Sequence, residues 1–371
     1  MNLAHGISLG WQASPAVSPP SPDGEEGSSR LPPTGAGQGN GQGMPWLMIA
    51  ISAGALSAVF MASLATPSIL SFILFFLVPA PLFMAGLSFG WLAAGIGAFT
   101  ALVLLAGMLG AKAGLMHFVM VGLPVVWLSY LALQHRPAAG AQPAMAEGEP
   151  VDAAGNEWYP EGRLLLWMAG LAAAGVALVL LSLGTTQADI QAALRRLAEE
   201  AMRATGLGAQ ATAAEKRRFL DVFVVIAPLS GVLMWEAVLY LGFRLADWLV
   251  RKMGLGRRPA ADFTRLTFPR TALLGLAGLS LAALLPDVFG VLGEVFAVAF
   301  MLAFVVLGLS VLHAWTAGQP WQPLALGALY AALLALTGLV GPVLLLLGLA
   351  EAGFGIREMM RRGGMGPRAG G

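Results

Sequence analysis

The sequence predicts an all-α fold, a polytopic transmembrane helix bundle of about nine to ten membrane segments. Three observations carry that prediction. Of 371 residues, 57% are hydrophobic and only 11% are charged, where a soluble domain carries about 25%. The mean hydropathy is +0.76. Apolar runs of about 18 residues or more, long enough to cross a bilayer as helices, recur along the chain. A chain of this composition cannot cover a soluble surface with polar groups, so the lipid bilayer is its first partner.

Residues 1–44, rich in Pro, Gly and Ser, read as a disordered tail. The transmembrane domain then occupies residues 45–362, and residues 363–371 read as a second disordered tail. Four apolar spans follow one another over short loops, from Pro45 to Leu64, Ile69 to Phe89, Gly90 to Leu109 and Gly114 to Leu133. The second is interrupted by "VPAP", Val78 to Pro81. A polar loop, residues 134–163, leads to a fifth span, Leu164 to Gly184, whose entrance carries Trp158, Tyr159 and Trp167 as an interfacial aromatic belt.

Residues 186–204 are of another kind. Thr186 and Asp189 have capping-box spacing, and Ile190, Leu194, Leu197 and Ala201 recur on one helical face against charged neighbours. This is an amphipathic helix, lying on a membrane surface or packed on the protein as a connector. A long span from Phe219 to Leu249 precedes the most basic loop, which holds Arg251, Lys252, Arg257, Arg258, Arg265 and Arg270. Apolar stretches from Thr271 to Leu285, Val291 to Ala314 and Leu324 to Ala352 complete the bundle, the last broken by "TGLVGP". Lys and Arg in short loops face the cytoplasm. The 251–270 loop therefore belongs inside, as does the basic C-terminal tail if the last stretch splits in two.

The charge balance is +1, which offers nothing to nucleic acid, and there are no cysteines. Structural disulfides and thiolate metal sites are thereby excluded. No cofactor or metal site is expected. "EEAMR", Glu199 to Arg203, is one residue short of a membrane-protease paired-glutamate motif; "PLSG", Pro228 to Gly231, lacks the first Gly of GxSG; and no P-loop occurs. An enzyme is not expected.

Chemistry inside the spans rests on a few groups. Glu236 stands in the middle of "GVLMWEAVLYLGFR", where a carboxylate costs about 2.5–3.5 kcal/mol on insertion scales. His117 is the other deep group, and Tyr240, one turn from Glu236, offers the only hydroxyl on that face. Glu236, His117 and Tyr240 are the candidate ligand-binding residues. Gly86, Gly90, Ala94 and Ala98 form a small-residue stripe for close helix packing. Arg251, Lys252, Arg257 and Arg258 form a candidate cytoplasmic basic patch.

The closing stretch "GPVLLLLGLAEAGFGIREMMRR", with "VGLPVVWLSYLALQHR", "EWYPEGRLLLWMAGLA" and "VVLGLSVLHAWTAG", resembles the YybS-like family of bacterial multi-pass membrane proteins. Where relatives often carry an Asn near the end of the sixth span, this chain has Gly242 or nearby apolar residues. That family is distantly similar to the S components of energy-coupling factor transporters, and "VPAPLFMAGLSFGWLAAGIGAF" is similar to their early helices. The resemblance implies a protein of the bacterial inner membrane, a transporter or substrate-binding membrane component served by a separate ATPase module. The alternative is a non-transport scaffold or assembly factor that binds a protein or anionic lipid through the basic loop and tail.

Overall fold

Apolar runs in a bilayer have no water to satisfy their amide groups, so they close their hydrogen bonds within helices. The structure, a computed structural model, follows that rule throughout. It describes residues 12–13, 45–66, 68–137, 152, 155–206 and 210–362. The two expected tails lie outside these residues, apart from 12–13.

The first crossings are α1 (Pro45–Ala62), a broken pair α2 (Ile69–Leu77) and α3 (Ala80–Phe89), then α4 (Trp91–Leu109). Pro79 and Pro81 supply no amide hydrogen to the preceding turns, which breaks the second crossing where "VPAP" foretold. Gly90 stands at φ +98 between α3 and α4, a conformation that admits a glycine and lets the chain reverse in one residue. The next crossing is α5 (Ala111–His117), a π-helical turn at Phe118–Gly122, and α6 (Leu123–Ala132).

The polar loop that follows is zipped at its base. Strands β1 (Gln12–Ala13), β2 (Gln134–Pro137) and β3 (Asn156–Trp158) pair antiparallel in that order. Arg136 and Glu157 close β2 onto β3 with a 2.7 Å ion pair. Trp158 is buried and donates its indole hydrogen to Asp152 at 3.1 Å, so it anchors the hairpin rather than joining the aromatic belt.

Beyond the hairpin come α7 (Glu161–Leu183), α8 (Gln187–Thr205) and α9 (Ala213–Lys252). Thr186 caps α8 by accepting from the Asp189 amide at 3.1 Å, as its spacing predicts. The helix buries Ile190, Ala193 and Ala198, while Leu197 stays 50% exposed. It packs on α7 and α9, with Arg195 paired to Asp221. Its inner face therefore serves as a connector. At 40 residues α9 is about 60 Å long, twice the hydrocarbon thickness. Its first turns, capped by Thr212 and Glu215, stand beyond the apolar layer beside α8.

The remaining helices are α10 (Thr271–Ala282), α11 (Asp287–Thr316), α12 (Gln322–Ala335), α13 (Thr337–Phe354) and α14 (Ile356–Arg362). Seven helices or broken pairs are long and apolar enough to cross by themselves, from α1 through α7, α9 and α11. The expected nine to ten segments are not reached by this measure, since α10 and the bent α12–α13 pair fall short of it. At 12 residues, about 18 Å, α10 is too short to qualify. Yet its two ends lie at opposite ends of the bundle. Before it, the Thr267 carbonyl abuts Gly162 at the start of α7. After it, Asp287 accepts from the Gln187 amide at the far end of α7. The turns flanking α10 make up its missing length.

The α12–α13 pair bends by 120° and does not cross. It begins beside the end of α11, where Tyr330 meets His313 at 3.1 Å and His313 packs edge-on against Phe263 of the basic loop. It returns to the same place, since the Arg357 guanidinium donates to the carbonyls of Thr264 and Leu266. The last stretch is split at Leu336, just ahead of "TGLVGP", whose residues are helical with Pro342 inside α13, and the split makes a re-entrant hairpin. The basic loop and the C-terminal helix meet at one end of the molecule, called the basic end below.

Candidate functional site

Helix α9 packs against α2, α3, α7 and α11, and its buried face runs Val224, Pro228, Val232, Glu236, Leu239, Phe243 and Ala246. That stripe advances by three or four residues, the period that keeps one helical face inward. Glu236 occupies a core position on it and is 1% exposed. Neither of its carboxylate oxygens has a hydrogen-bond partner. Tyr240 does not supply one; among the described residues nothing does. A buried carboxylate without partners forfeits water on both oxygens and gains nothing in return.

Glu236 heads a polar row. Tyr240, Arg244, Asp247 and Arg251 follow at steps of four, four, three and four residues, all within about 80° of one another on an ideal helix. The row leads from the middle of α9 to the basic end. Arg244 reaches across to Glu161 at the start of α7, at 2.7 Å. Asp247 and Arg251 pair along the helix at 2.9 Å. A cavity of about 10 Å³ lies among Glu161, Leu164, Tyr240, Phe243, Arg244 and Leu266, room for about one water. The sequence pointed to Glu236 and Tyr240 but gave no partner for Arg244. Its ion pair with Glu161 joins residues 83 positions apart, a distance no local pattern bridges.

His117 sits elsewhere. It is fully buried at the end of α5, with Nε2 3.3 Å from the Ser57 hydroxyl of α1. Ser57 donates its hydrogen to the Val78 carbonyl at 2.8 Å. The Nε2 atom of His117 is therefore the donor in that contact, and Nδ1 is the bare acceptor, which has no partner. No hydrogen bond or ion pair joins His117 to Glu236. The nearest link is indirect: Trp235 donates its indole hydrogen at 3.3 Å to the Met120 carbonyl, in the π-helical turn that follows His117. The three candidate ligand residues thus form two polar positions, Glu236 with Tyr240 and His117 with Ser57.

The small-residue stripe is divided. Ala94 and Ala98 are fully buried, and a Cβ on Gly86 would strike Ser129 and approach Ala94 at 3.1 Å. Gly90 is the hinge, with only Arg257 nearby at 3.8 Å. The closest helix contacts lie at glycines the sequence did not single out. A Cβ on Gly54 would enter the Gly97 carbonyl; one on Gly308 would enter that of Leu344, and one on Gly348 that of Phe304. The glycine pairs are the signal, but each glycine is only half of a contact whose other half lies on a distant helix.

The four basic residues do not share one surface. Lys252 is exposed, Arg251 is tied to Asp247, and Arg257 borders a cleft of about 260 Å³ with Trp46, Ser88, Phe89 and Leu92. Arg258 is buried, and burial draws its guanidinium below the usual arginine range. Among the described residues no cluster of His, Asp and Glu is arranged to hold a metal. No protein-family model, curated protein or solved structure matches the chain.

Proposed function

We propose that this multi-pass membrane protein is a transport component in which Glu236 is the ion-exchanging group, taking up and releasing a proton or small cation from within the bundle. One observation carries the reading: a carboxyl with two bare oxygens in the apolar core. Intramembrane carboxyls are costly and mark ion pathways and proton relays when they are kept. The break at Val78–Pro79, the π-helical turn at Phe118–Gly122 and the re-entrant α12–α13 pair support it, because transporters place irregular backbone around a buried site, and π-helical turns recur at functional sites. On this reading the protein resides in a bacterial inner membrane with its basic end in the cytoplasm, and any ATPase that serves it is a separate chain.

A second reading has its own observation. Neither the cavity at Glu161 nor the cleft at Arg257 is lined by Glu236 or His117, and a filled core suits a scaffold or assembly factor. Infrared spectroscopy of the reconstituted protein separates the two. An ion-exchanging Glu236 gives a carboxyl band that changes across a pH titration and is missing from Glu236→Gln at unchanged helicity. A spectrum identical in wild type and Glu236→Gln over the whole titration rejects the transport reading and leaves the scaffold.

A further inference from the structure

We infer that the basic end holds a binding site for a small oxyanion, a carboxylate or a phosphate group, clasped by the guanidinium of Arg258. Arg258 lies in the connection between α9 and α10 and is 5% exposed. Both Nη1 and Nη2 are buried and have no hydrogen-bond partner. These two nitrogens are the open end of the arginine fork, which grips two oxygens of one carboxylate or phosphate side by side.

The charges around it leave the same vacancy. Glu161, Asp247, Arg244 and Arg251 are the charged groups that act on Arg258. Glu161 is committed to Arg244 and Asp247 to Arg251, at 2.7 and 2.9 Å. Three cations therefore face two anions, and the surplus charge is the buried one. A water molecule would satisfy the N–H groups and leave the charge uncompensated. Leaving a buried charge without a counter-charge is strongly destabilising. A single anion with two adjacent oxygens answers both deficits.

Arg258 belongs to the non-helical segment 254–262, which is tied to the end of α9 through the Gly254 and Leu255 amides. The oxyanion comes from solution or from the headgroup of an anionic lipid, and the shared chemistry is an oxygen pair carrying negative charge. This inference makes no use of Glu236 and stands or falls apart from the transport reading.

Thermal unfolding of the full purified chain tests it. In detergent, millimolar inorganic phosphate or acetate is compared with chloride at equal ionic strength. In nanodiscs, phosphatidylglycerol is compared with phosphatidylcholine. Phosphate or acetate raises Tm above chloride if the source is soluble, and phosphatidylglycerol alone does so if the source is lipid. Arg258→Met abolishes the rise and is at least as stable as wild type in chloride. Arg258→Lys, which keeps the charge and loses the fork, folds and binds about tenfold more weakly. Equal stabilisation by chloride, no stabilisation by any oxyanion or anionic lipid, or a rise that persists undiminished in Arg258→Met or Arg258→Lys overturns the assignment.

Discussion

Glu236 is bare where a structural carboxylate would be paired, and that difference has a measurable sign. Removing one partner of a satisfied buried hydrogen bond destabilises a protein, whereas removing a buried group that has no partner relieves it. Glu236→Leu keeps the side-chain volume near that of the native residue and adds apolar contact at a core position among Val232, Leu239 and Phe243. It is expected to raise stability by about 1–3 kcal/mol, measured as a higher unfolding temperature in detergent, and to remove the carboxyl infrared band. A lower unfolding temperature would mean that the carboxyl is paired in the native membrane. A residue kept at a cost to stability supports the proposed ion exchange at Glu236. The neighbouring groups fit the same picture, since Arg244, Asp247 and Arg251 are each committed to a counter-charge, and of the charged groups in that row Glu236 alone is left without one.

Among the elements, the closest packing is between α11 and α13. Gly308 and Gly348 face each other so closely that a methyl on either meets the opposite backbone at Leu344 or Phe304. Backbone carbonyls cannot move aside as a flexible side chain can. In lipid, where apolar burial between helices drives little, such contact is a main source of helix association. Gly348→Ala is expected to cost about 1–3 kcal/mol of overpacking, read as a loss of thermal stability, while alanine at Gly275 or Gly341, where a Cβ meets nothing, changes little. Equal effects at Gly348 and Gly341 would contradict the close approach. The cost at Gly348 is borne by the re-entrant pair, which lies on α11 through this contact and is fastened at its end by Arg357. The Glu351–Arg357 pair at 2.8 Å holds that guanidinium toward the basic loop.

At the scale of the whole molecule, the polar row of α9, the basic loop and the Glu351–Arg357 pair gather at one end of the bundle, while α8 and the first turns of α9 carry a second charged group at the other. The start of α7, the end of α9, the basic loop and the C-terminal helix all meet at the first of these, and α8 lies at the other end of α7. Reporter fusions after Gly256 and Gly364 are therefore expected to report the same side of the membrane, with a fusion at Gly206 on the opposite side. Opposite sides for Gly256 and Gly364 would turn the re-entrant α12–α13 pair into a crossing. The same geometry explains why a helix as short as α10 suffices: Pro269 ahead of it and the turns at Ala283–Leu285 behind it carry the chain through the remaining depth.

The sequence by itself determined the membrane bundle, because hydropathy is a property of local composition and lipid leaves a spanning chain little choice but helix. It determined the break at "VPAP" and the cap of α8, which depend on residues a few positions apart, and it came within a residue of the break at Leu336, which precedes "TGLVGP" rather than falling in it. It also marked Glu236, since a carboxylate in an apolar run is visible without any fold. The tertiary structure decided what each of these means. That Glu236 has no partner, that Arg244 is answered by Glu161, that Arg258 is sealed in rather than displayed, and that α12–α13 turns back all depend on helices far apart in the chain. Within lipid the apolar face of one helix is as good as another for hydropathy, so the pattern along a helix does not say which neighbour it will meet. Only packing, through glycine contacts and a few ion pairs, selects the neighbour and with it which polar groups are left unanswered.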